Sequence, residues 1–328
     1  MSSDLRERLT AFLSTRIGAS VEVDDLVRVP GGASRETWTF TTSTPDGDRR
    51  LVLRRDPPGA PARSERRTEF DLLERVGKAG VPVPTVRWYA SADDLGSAGF
   101  VMDFVEGETI ARRVLRDDAY ARARRMLAGQ CGDVLAKIHA VDIDGLGGFD
   151  PPDDNPGAAV LARFRDLYDS FGEPHPAFEL GLRWLEARIP EPSRVTLVHG
   201  DFRHGNLIIG PDGLRAVIDW ELPHLGDPWE DLAWLCTRSW RFGGPGEVGG
   251  FGNRADLYAA YERSSGVAVD AETVHWWEVL SNVKWGVMTM MQAFTHLWGH
   301  VRSVELAAIG RRTCETEYDL LRLLKDAR

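Results

Sequence analysis

Val198-His199-Gly200-Asp201-Phe202-Arg203-His204-Gly205-Asn206-Leu207-Ile208-Ile209 passes through Gly210-Pro211-Asp212-Gly213 and returns as Ala216-Val217-Ile218-Asp219-Trp220-Glu221. An apolar run ending at Val198 gives way to a polar loop. Two short apolar runs then follow, joined by a Pro-Asp-Gly turn, which is a hairpin signal. If Gly210 faces Leu214, the register sets Asn206 opposite Ile218, beside Asp219. An antiparallel pair holds such neighbours roughly 5 Å apart. The hairpin then brings an amide and a carboxylate to the mouth of the loop that carries Asp201.

Phosphoryl transfer asks a protein mostly for positioning and for neutralising charge: a carboxylate orients the attacking hydroxyl, and other oxygens hold divalent metal on the nucleotide phosphates. Mg²⁺ takes one or two side-chain oxygens together with phosphate and water. Asp201 fits the hydroxyl-facing role, Asn206 and Asp219 fit the metal role, and Arg203 is placed to reach the transferred phosphate. Loop chemistry alone explains an isolated Asp or Asn, but it does not require all three in register. His199 reads as a hydrogen-bonding loop residue rather than a proton carrier.

The protein-kinase loop has the same spacing from Asp to Asn and a later metal-binding Asp. Here His199-Gly200-Asp201 stands for His-Arg-Asp, and Ile218-Asp219-Trp220 for Asp-Phe-Gly. With those replacements the chain resembles the aminoglycoside phosphotransferase family, and most closely the branch associated with acyl-CoA dehydrogenase domains. The resemblance implies an α+β, bilobal protein-kinase-like fold, with an antiparallel sheet lobe bearing a helix and a mostly helical second lobe. It also implies ATP and Mg²⁺ as cofactors and a hydroxyl-bearing small molecule as the partner.

Composition bounds the alternatives. The 328 residues suit two lobes better than one core. Forty basic against fifty acidic residues leave a net charge of -10, which argues against a nucleic-acid partner. No stretch approaches the roughly 18 uninterrupted apolar residues of a spanning helix, so no membrane partner is expected and the location reads as cytoplasmic. Cys131, Cys236 and Cys314 lack metal spacing and read as buried thiols in a reducing compartment.

In chain order, Asp4 caps a helix whose Leu5, Leu9, Phe12 and Leu13 share one face. Val27 to Phe40 is strand, glycine turn, strand. On turn chemistry it is an ordinary hairpin, and the family resemblance implies that Ser34 and its neighbours meet nucleotide phosphates. The strand Arg50–Arg55 puts Arg54 where the kinase pattern delivers its lysine to the phosphates, a role that a guanidinium fork can fill. Arg55 faces the other side. A helix from Ser64 to about Ala79 offers Glu69 as partner to Arg54, with Glu65 as the rival. The strand Phe100 to Phe104 runs into an acidic Gly turn. An edge segment between lobes exposes the backbone groups that an adenine needs, so the hinge is set at Asp103 to Val105, with Met102 lining the base pocket. The organisation is therefore 1–102 nucleotide-binding lobe, 103–107 hinge, 108–328 catalytic and substrate-binding lobe.

The second lobe reads as helices around the central hairpin. Asp227 or Asp231 caps the helix after it. In enzymes of the resembling family Asp231 would brace the catalytic loop, and both are read as structural. Trp276, Trp277, Trp285 and Trp298 lie on one long apolar helix, which is core by packing logic with some surface left for an apolar substrate wall. That wall tips the acceptor toward a hydroxyacyl-CoA or another partly apolar alcohol. An aminoglycoside or macrolide antibiotic is the alternative, and a catalytically silent nucleotide-binding sensor is the rival outside enzymes.

Overall fold

Helix α1 (Ser2–Ile17) opens the computed structural model, which describes residues 2–29, 35–45, 47–57, 65–192 and 194–326, without the side chains of 2, 65 and 326. Leu5, Leu9, Phe12 and Leu13 recur at helical spacing and are all buried. They pack with residues of the sheet that follows: Val23 on β1 (Glu22–Arg28), Trp38 and Phe40 on β2 (Glu36–Thr44), Leu51 and Leu53 on β3 (Gly47–Arg55). Burying each such side chain contributes about 1.5–3 kcal/mol. Strands β2 and β3 pair Trp38 with Leu53 and Phe40 with Leu51, so the period-two pattern puts one face of the sheet under α1.

Helix α2 (Glu65–Lys78) follows, then β4 (Val86–Ala90), the short α3 (Ala92–Leu95) and β5 (Gly99–Asp103). The strand order is β1-β2-β3-β5-β4, antiparallel at every step. The chain divides into two compact units: Met1–Gly107 with Val141–Phe149 and Arg215–Glu221, and Glu108–Ala140 with Asp150–Leu214 and Leu222–Arg328. The sheet and α1 to α3 belong to the first.

The second unit is mostly helical. It holds α4 (Ala111–Arg116), α5 (Ala121–Ile138), α6 (Pro156–Phe171) and α7 (Pro176–Glu186). The α6 helix starts at Pro156 because Asn155 caps it, accepting from the Ala158 N–H, with Pro156 at its first position. Strand β6 (Thr196–Val198) leads into the polar loop, and β7 (Leu207–Gly210) and β8 (Gly213–Val217) form the expected hairpin. Strand β9 (His224–Gly226) then pairs antiparallel with β6.

After it come α8 (Trp229–Cys236), buried along its whole length, α9 (Arg254–Ser265), α10 (Ala271–Leu297), α11 (Val304–Gly310) and α12 (Thr313–Asp326). Gly132 of α5 lets α9 approach closely, since a Cβ there would stand 2.3 Å from the Leu257 carbonyl oxygen. The long aromatic helix α10 is capped by Asp270 and divides along its length: Trp276 and Trp277 are core, while Leu297 and the following Trp298 are exposed. One cysteine departs from expectation. Cys131 and Cys236 are buried, but Cys314 at the start of α12 is exposed, because it falls on the solvent side of that turn. No helix among the described residues is long and apolar enough to cross a membrane.

Candidate active site

The loop after β6 is pinned by a buried carboxylate. Asp231, on the first turn of α8, accepts the His199 N–H at 2.7 Å and the Gly200 N–H at 3.0 Å. Its Oδ2 also lies 3.2 Å from His139 Nε2, and His139 Nδ1 is 3.0 Å from the Tyr261 hydroxyl. Complete burial keeps His139 below its ordinary pKa and hence neutral, and the N–H donors around Asp231 hold that carboxylate ionised in spite of its burial. Asp231 is thus a brace. Asp227 instead lies just before α8, where Pro228 is the N-cap, and accepts the Trp229 N–H at 2.9 Å. Gly200 explains why no arginine stands here: its φ is +77°, and a Cβ would meet the Leu222 carbonyl oxygen at 2.3 Å.

Asp201 emerges from this loop with both carboxylate oxygens engaged. Arg203 Nε reaches Oδ1 at 3.0 Å and Oδ2 at 3.1 Å, Trp234 Nε1 donates to Oδ1 at 2.7 Å, and Asn206 Nδ2 donates to Oδ2 at 2.6 Å. Arg203 therefore rests on Asp201, with its guanidinium 4.8 Å from the Trp240 ring centroid. Asn206 ends a 3₁₀ turn at His204–Asn206 and so precedes β7 rather than pairing within it, and β8 likewise stops at Val217, before Ile218. Asn206 Nδ2 is spent on the Asp201 side chain and backbone carbonyl, which leaves its amide oxygen as the atom available to a cation.

Behind Asp201 lies an aromatic wall that the sequence reading misses. Trp234 packs on Trp240 at 5.1 Å, and Trp240 on Trp285 at 4.8 Å. Lys284 sits over the Trp234 ring and pairs with buried Glu230 at 3.0 Å. Burial alone would raise the Glu230 carboxyl; Lys284 and His224 hold it well below the ordinary range. A signal is present in the sequence, since Trp234 follows Asp231 by one helical turn and shares its face. His204, fully buried between Phe242 and Phe251, donates Nδ1–H to the Gly249 carbonyl at 2.6 Å. Burial pushes it down to about 4, so it is neutral.

The first unit gathers a second set of charges. Alternation along β3 sends Arg55 to Glu36 on one face and Arg54 to the other. Arg54 Nε lies 3.3 Å from Glu69, its terminal nitrogen lies 2.9 Å from Asp219, and it also pairs with Glu221. Arg35 joins Glu69 at 2.8 Å and Glu221 at 3.1 Å, while Arg66 pairs with Glu69 and, at 3.0 Å, with Asp56. Burial works against the Arg54 charge, but Glu69, Asp219 and Glu221 more than offset it and raise its pKa. Of the two carboxylates weighed for Arg54, Glu69 is in contact, while the side chain of Glu65 falls outside the described residues. Sequence spacing does not anticipate Arg35 or Glu221 in this cluster, whereas Arg66 stands three residues before Glu69 on α2, a helical spacing that pairs them. Asp219 has φ +68°, a left-handed conformation uncommon for anything but glycine, Asn and Asp.

Met102 is buried and, with Phe100, Leu73, Trp220 and Arg54, lines a cavity of about 20 Å³ in this unit, room for a single water. The Asp103 N–H donates to Thr85 and the Phe104 N–H to Arg50, so both are used by the sheet; Val105 N–H has no partner among the described residues. The Asp103 side chain holds Arg87 through two hydrogen bonds. Ser34 lies outside the described residues.

The large cavity of the second unit, about 1040 Å³, adjoins the Asp201 loop through Arg203 and Gly205. Its other walls are Thr109–Arg112, Arg238–Gly243 and the start of α12. No residue of α10 lines it; Trp276 and Trp277 of that helix are buried in the core, and the exposed apolar surface lies at its end, at Leu297 and Trp298.

The model of the phosphotransferase enzyme family (APH) matches residues 25–267. Acyl-CoA dehydrogenase family member 10 of Mus musculus is 32% identical over 239 residues, which is 71% of this chain and 22% of that protein. Acyl-CoA dehydrogenase family member 11 of Rattus norvegicus is 31% identical over 202 residues, 58% of this chain and 25% of that one. The chain thus spans about a quarter of the length of such relatives. Among solved structures, a Ralstonia eutropha protein provisionally named an aminoglycoside phosphotransferase superposes with TM-score 0.79 at 23% identity, covering 98% of both chains. The fold is therefore kinase-like, and the chain belongs to the phosphotransferase enzyme family.

Proposed function

We propose that the chain is an ATP-dependent O-phosphotransferase that moves the γ-phosphate to a hydroxyl of a small molecule. The observation that carries this reading is Asp201: a carboxylate on a loop fixed by Asp231, beside a cavity of about 1040 Å³ that Arg203 and Gly205 of the same loop line. An acceptor hydroxyl entering that cavity would hydrogen-bond to Asp201, which would take up its proton as the new oxygen–phosphorus bond forms and the bond from the γ-phosphorus to the β-phosphate oxygen breaks, with ADP leaving. Asn206 and Trp234 would keep the carboxylate aimed, and Arg203 would leave it to meet the transferred phosphate. Mg²⁺, held on the nucleotide by Asn206 Oδ1 and Asp219, would neutralise the phosphate charge. Among the described residues no group of three His, Cys, Asp or Glu side chains could hold a metal ion, but Mg²⁺ needs only one or two protein oxygens when phosphates supply the rest.

In the nucleotide site, Arg54 braced by Glu69 would take the α- and β-phosphates, Ser34 and its turn would cover them, and Met102, Asp103 and Val105 would border the base. A solved structure of aminoglycoside phosphotransferase APH(4)-Ia is a ternary complex with ADP and hygromycin B, which supports an adenine nucleotide by analogy of fold. The acyl-CoA dehydrogenase relatives favour a hydroxyacyl-CoA as acceptor over an aminoglycoside or macrolide. The test is Asp201→Asn, with ADP release and ADP binding measured together. Turnover should fall about 10²–10⁴-fold, the usual contribution of a positioned general base, while ADP affinity holds. Unchanged turnover would overturn the assignment.

One observation favours a second reading, the silent sensor: Arg54 occupies the Asp219 carboxylate, and three donors occupy Asp201. Nucleotide binding with no ADP release across a panel of alcohols would select it.

A further inference from the structure

In a chain of net charge -10, the large cavity beside Asp201 is walled by four arginines. Arg112 comes from the first turn of α4, Arg203 from the Asp201 loop, Arg238 from the turn after α8, and Arg312 from just before α12. Among the described residues the carboxylates on that wall are Glu315 and Asp319, and both are committed: Asp319 to Arg238 at 3.1 Å and Glu315 to Arg312 at 3.0 Å. Arg203 is matched by Asp201. Arg112 is exposed and has no carboxylate partner among the described residues. The Arg238–Asp319 pair is also the common wall with a neighbouring cavity of about 220 Å³, where Arg322 adds its charge near Asp319 and Arg241 and Arg254 face Glu278.

This is the wrong surface for a polyamine, which would bring cations to guanidinium groups and find every carboxylate taken. It suits an oxyanion, because the planar guanidinium fork matches phosphate and carboxylate oxygens two at a time. We infer that the acceptor alcohol is anionic, carrying a phosphate or carboxylate group that docks on Arg112, Arg238 and Arg312 while its hydroxyl lies at Asp201. The position of the hydroxyl rests on the phosphotransfer reading; the anion site does not.

Cys314 makes the two separable. It is exposed on the same wall, whereas Cys131 and Cys236 are buried, so alkylation of the native protein by a neutral maleimide reports occupancy of the cavity without turnover. Inorganic pyrophosphate and citrate should slow alkylation several-fold, and tobramycin should not. In Arg112→Glu, a change at an exposed side chain, the anion protection should be lost. Protection by pyrophosphate alone assigns a phosphate-bearing acceptor, and protection by citrate alone a carboxylate-bearing one. Protection by tobramycin that equals or exceeds that of the anions, or none by either anion, overturns the inference. ADP release that requires Asp201 without anion protection sinks the anion site alone. Anion protection in a protein that never releases ADP keeps the anion site and sinks the phosphotransfer reading.

Discussion

Arg203 Nε lies 3.0 Å and 3.1 Å from the two carboxylate oxygens of Asp201. The pair is partly exposed and has two companion donors on Asp201, so it is a weak contributor to stability and a strong constraint on geometry. Arg203→Ala should cost no more than about 1 kcal/mol of stability, as partly exposed ion pairs do. If Arg203 leaves Asp201 to meet the phosphoryl group, kcat should fall about 10²–10³-fold, the cost of one lost electrostatic contact in a transition state. Steady-state kinetics decide: a change confined to KM for the acceptor would make Arg203 a binding residue only.

Asp231 is a different case, because nothing solvates it. Its two oxygens serve the His199 and Gly200 N–H groups, and Asn in its place would turn an NH₂ toward one of them. Asp231→Asn should lower stability by about 3–5 kcal/mol, the range for breaking a buried charged pair. The urea midpoint should drop with little change in slope. A loss below about 1 kcal/mol, the exposed-pair range, would mean that the loop stands without this brace.

The Asp201 loop, the Pro-Asp-Gly hairpin, the strand with Arg54 and the helix with Glu69 are all legible in the sequence, because each carries a local signal: turn residues, period-two alternation or helical spacing. What escapes are contacts made by residues remote in sequence. Arg35, which precedes β2, meets Glu69 only because the sheet and α2 fold together, whereas Arg66 lies one turn from Glu69 on α2 itself. Helix α10 meets the same limit. Its aromatic excess is visible in the sequence, but whether that surface meets a ligand or α7, α8 and α12 depends on tertiary packing that periodicity does not encode.

His204 gives a pH prediction with a definite sign. Its pKa falls from 6.5 to about 4 on burial, so between those values the unfolded chain binds the proton that the folded loop refuses. Stability from this site is full above pH 6.5 and is lost as the pH falls toward 4, by about 3 kcal/mol at one pKa unit per 1.4 kcal/mol. Asp227, pushed up to about 6 by burial, works in the opposite sense over the same range. The quantity to read is therefore the stability gap between the wild-type protein and His204→Gln. That gap should narrow by about 3 kcal/mol from pH 7 to pH 4, the full His204 linkage term. A gap that stays constant would show that His204 takes up its proton in the folded state.

Glu69 is the test of the charge cluster around Arg54. It meets Arg35, Arg54 and Arg66, and each of these has another carboxylate: Glu221 for Arg35, Asp219 and Glu221 for Arg54, Asp56 for Arg66. Glu69→Gln keeps the shape and removes one negative charge from a site that water does not reach. Because no guanidinium is stranded, the cost should sit near the low end of the buried-pair range, about 3 kcal/mol, rather than at a sum over three pairs. Hydrogen–deuterium exchange reads it within the unit, where β3 and α2 amides should lose roughly 10²-fold in protection. Arg54 would then lean further onto Asp219, so Mg²⁺-dependent ADP binding should weaken along with the exchange protection. If protection falls while that binding is unchanged, Glu69 serves the fold of the unit and not the nucleotide site.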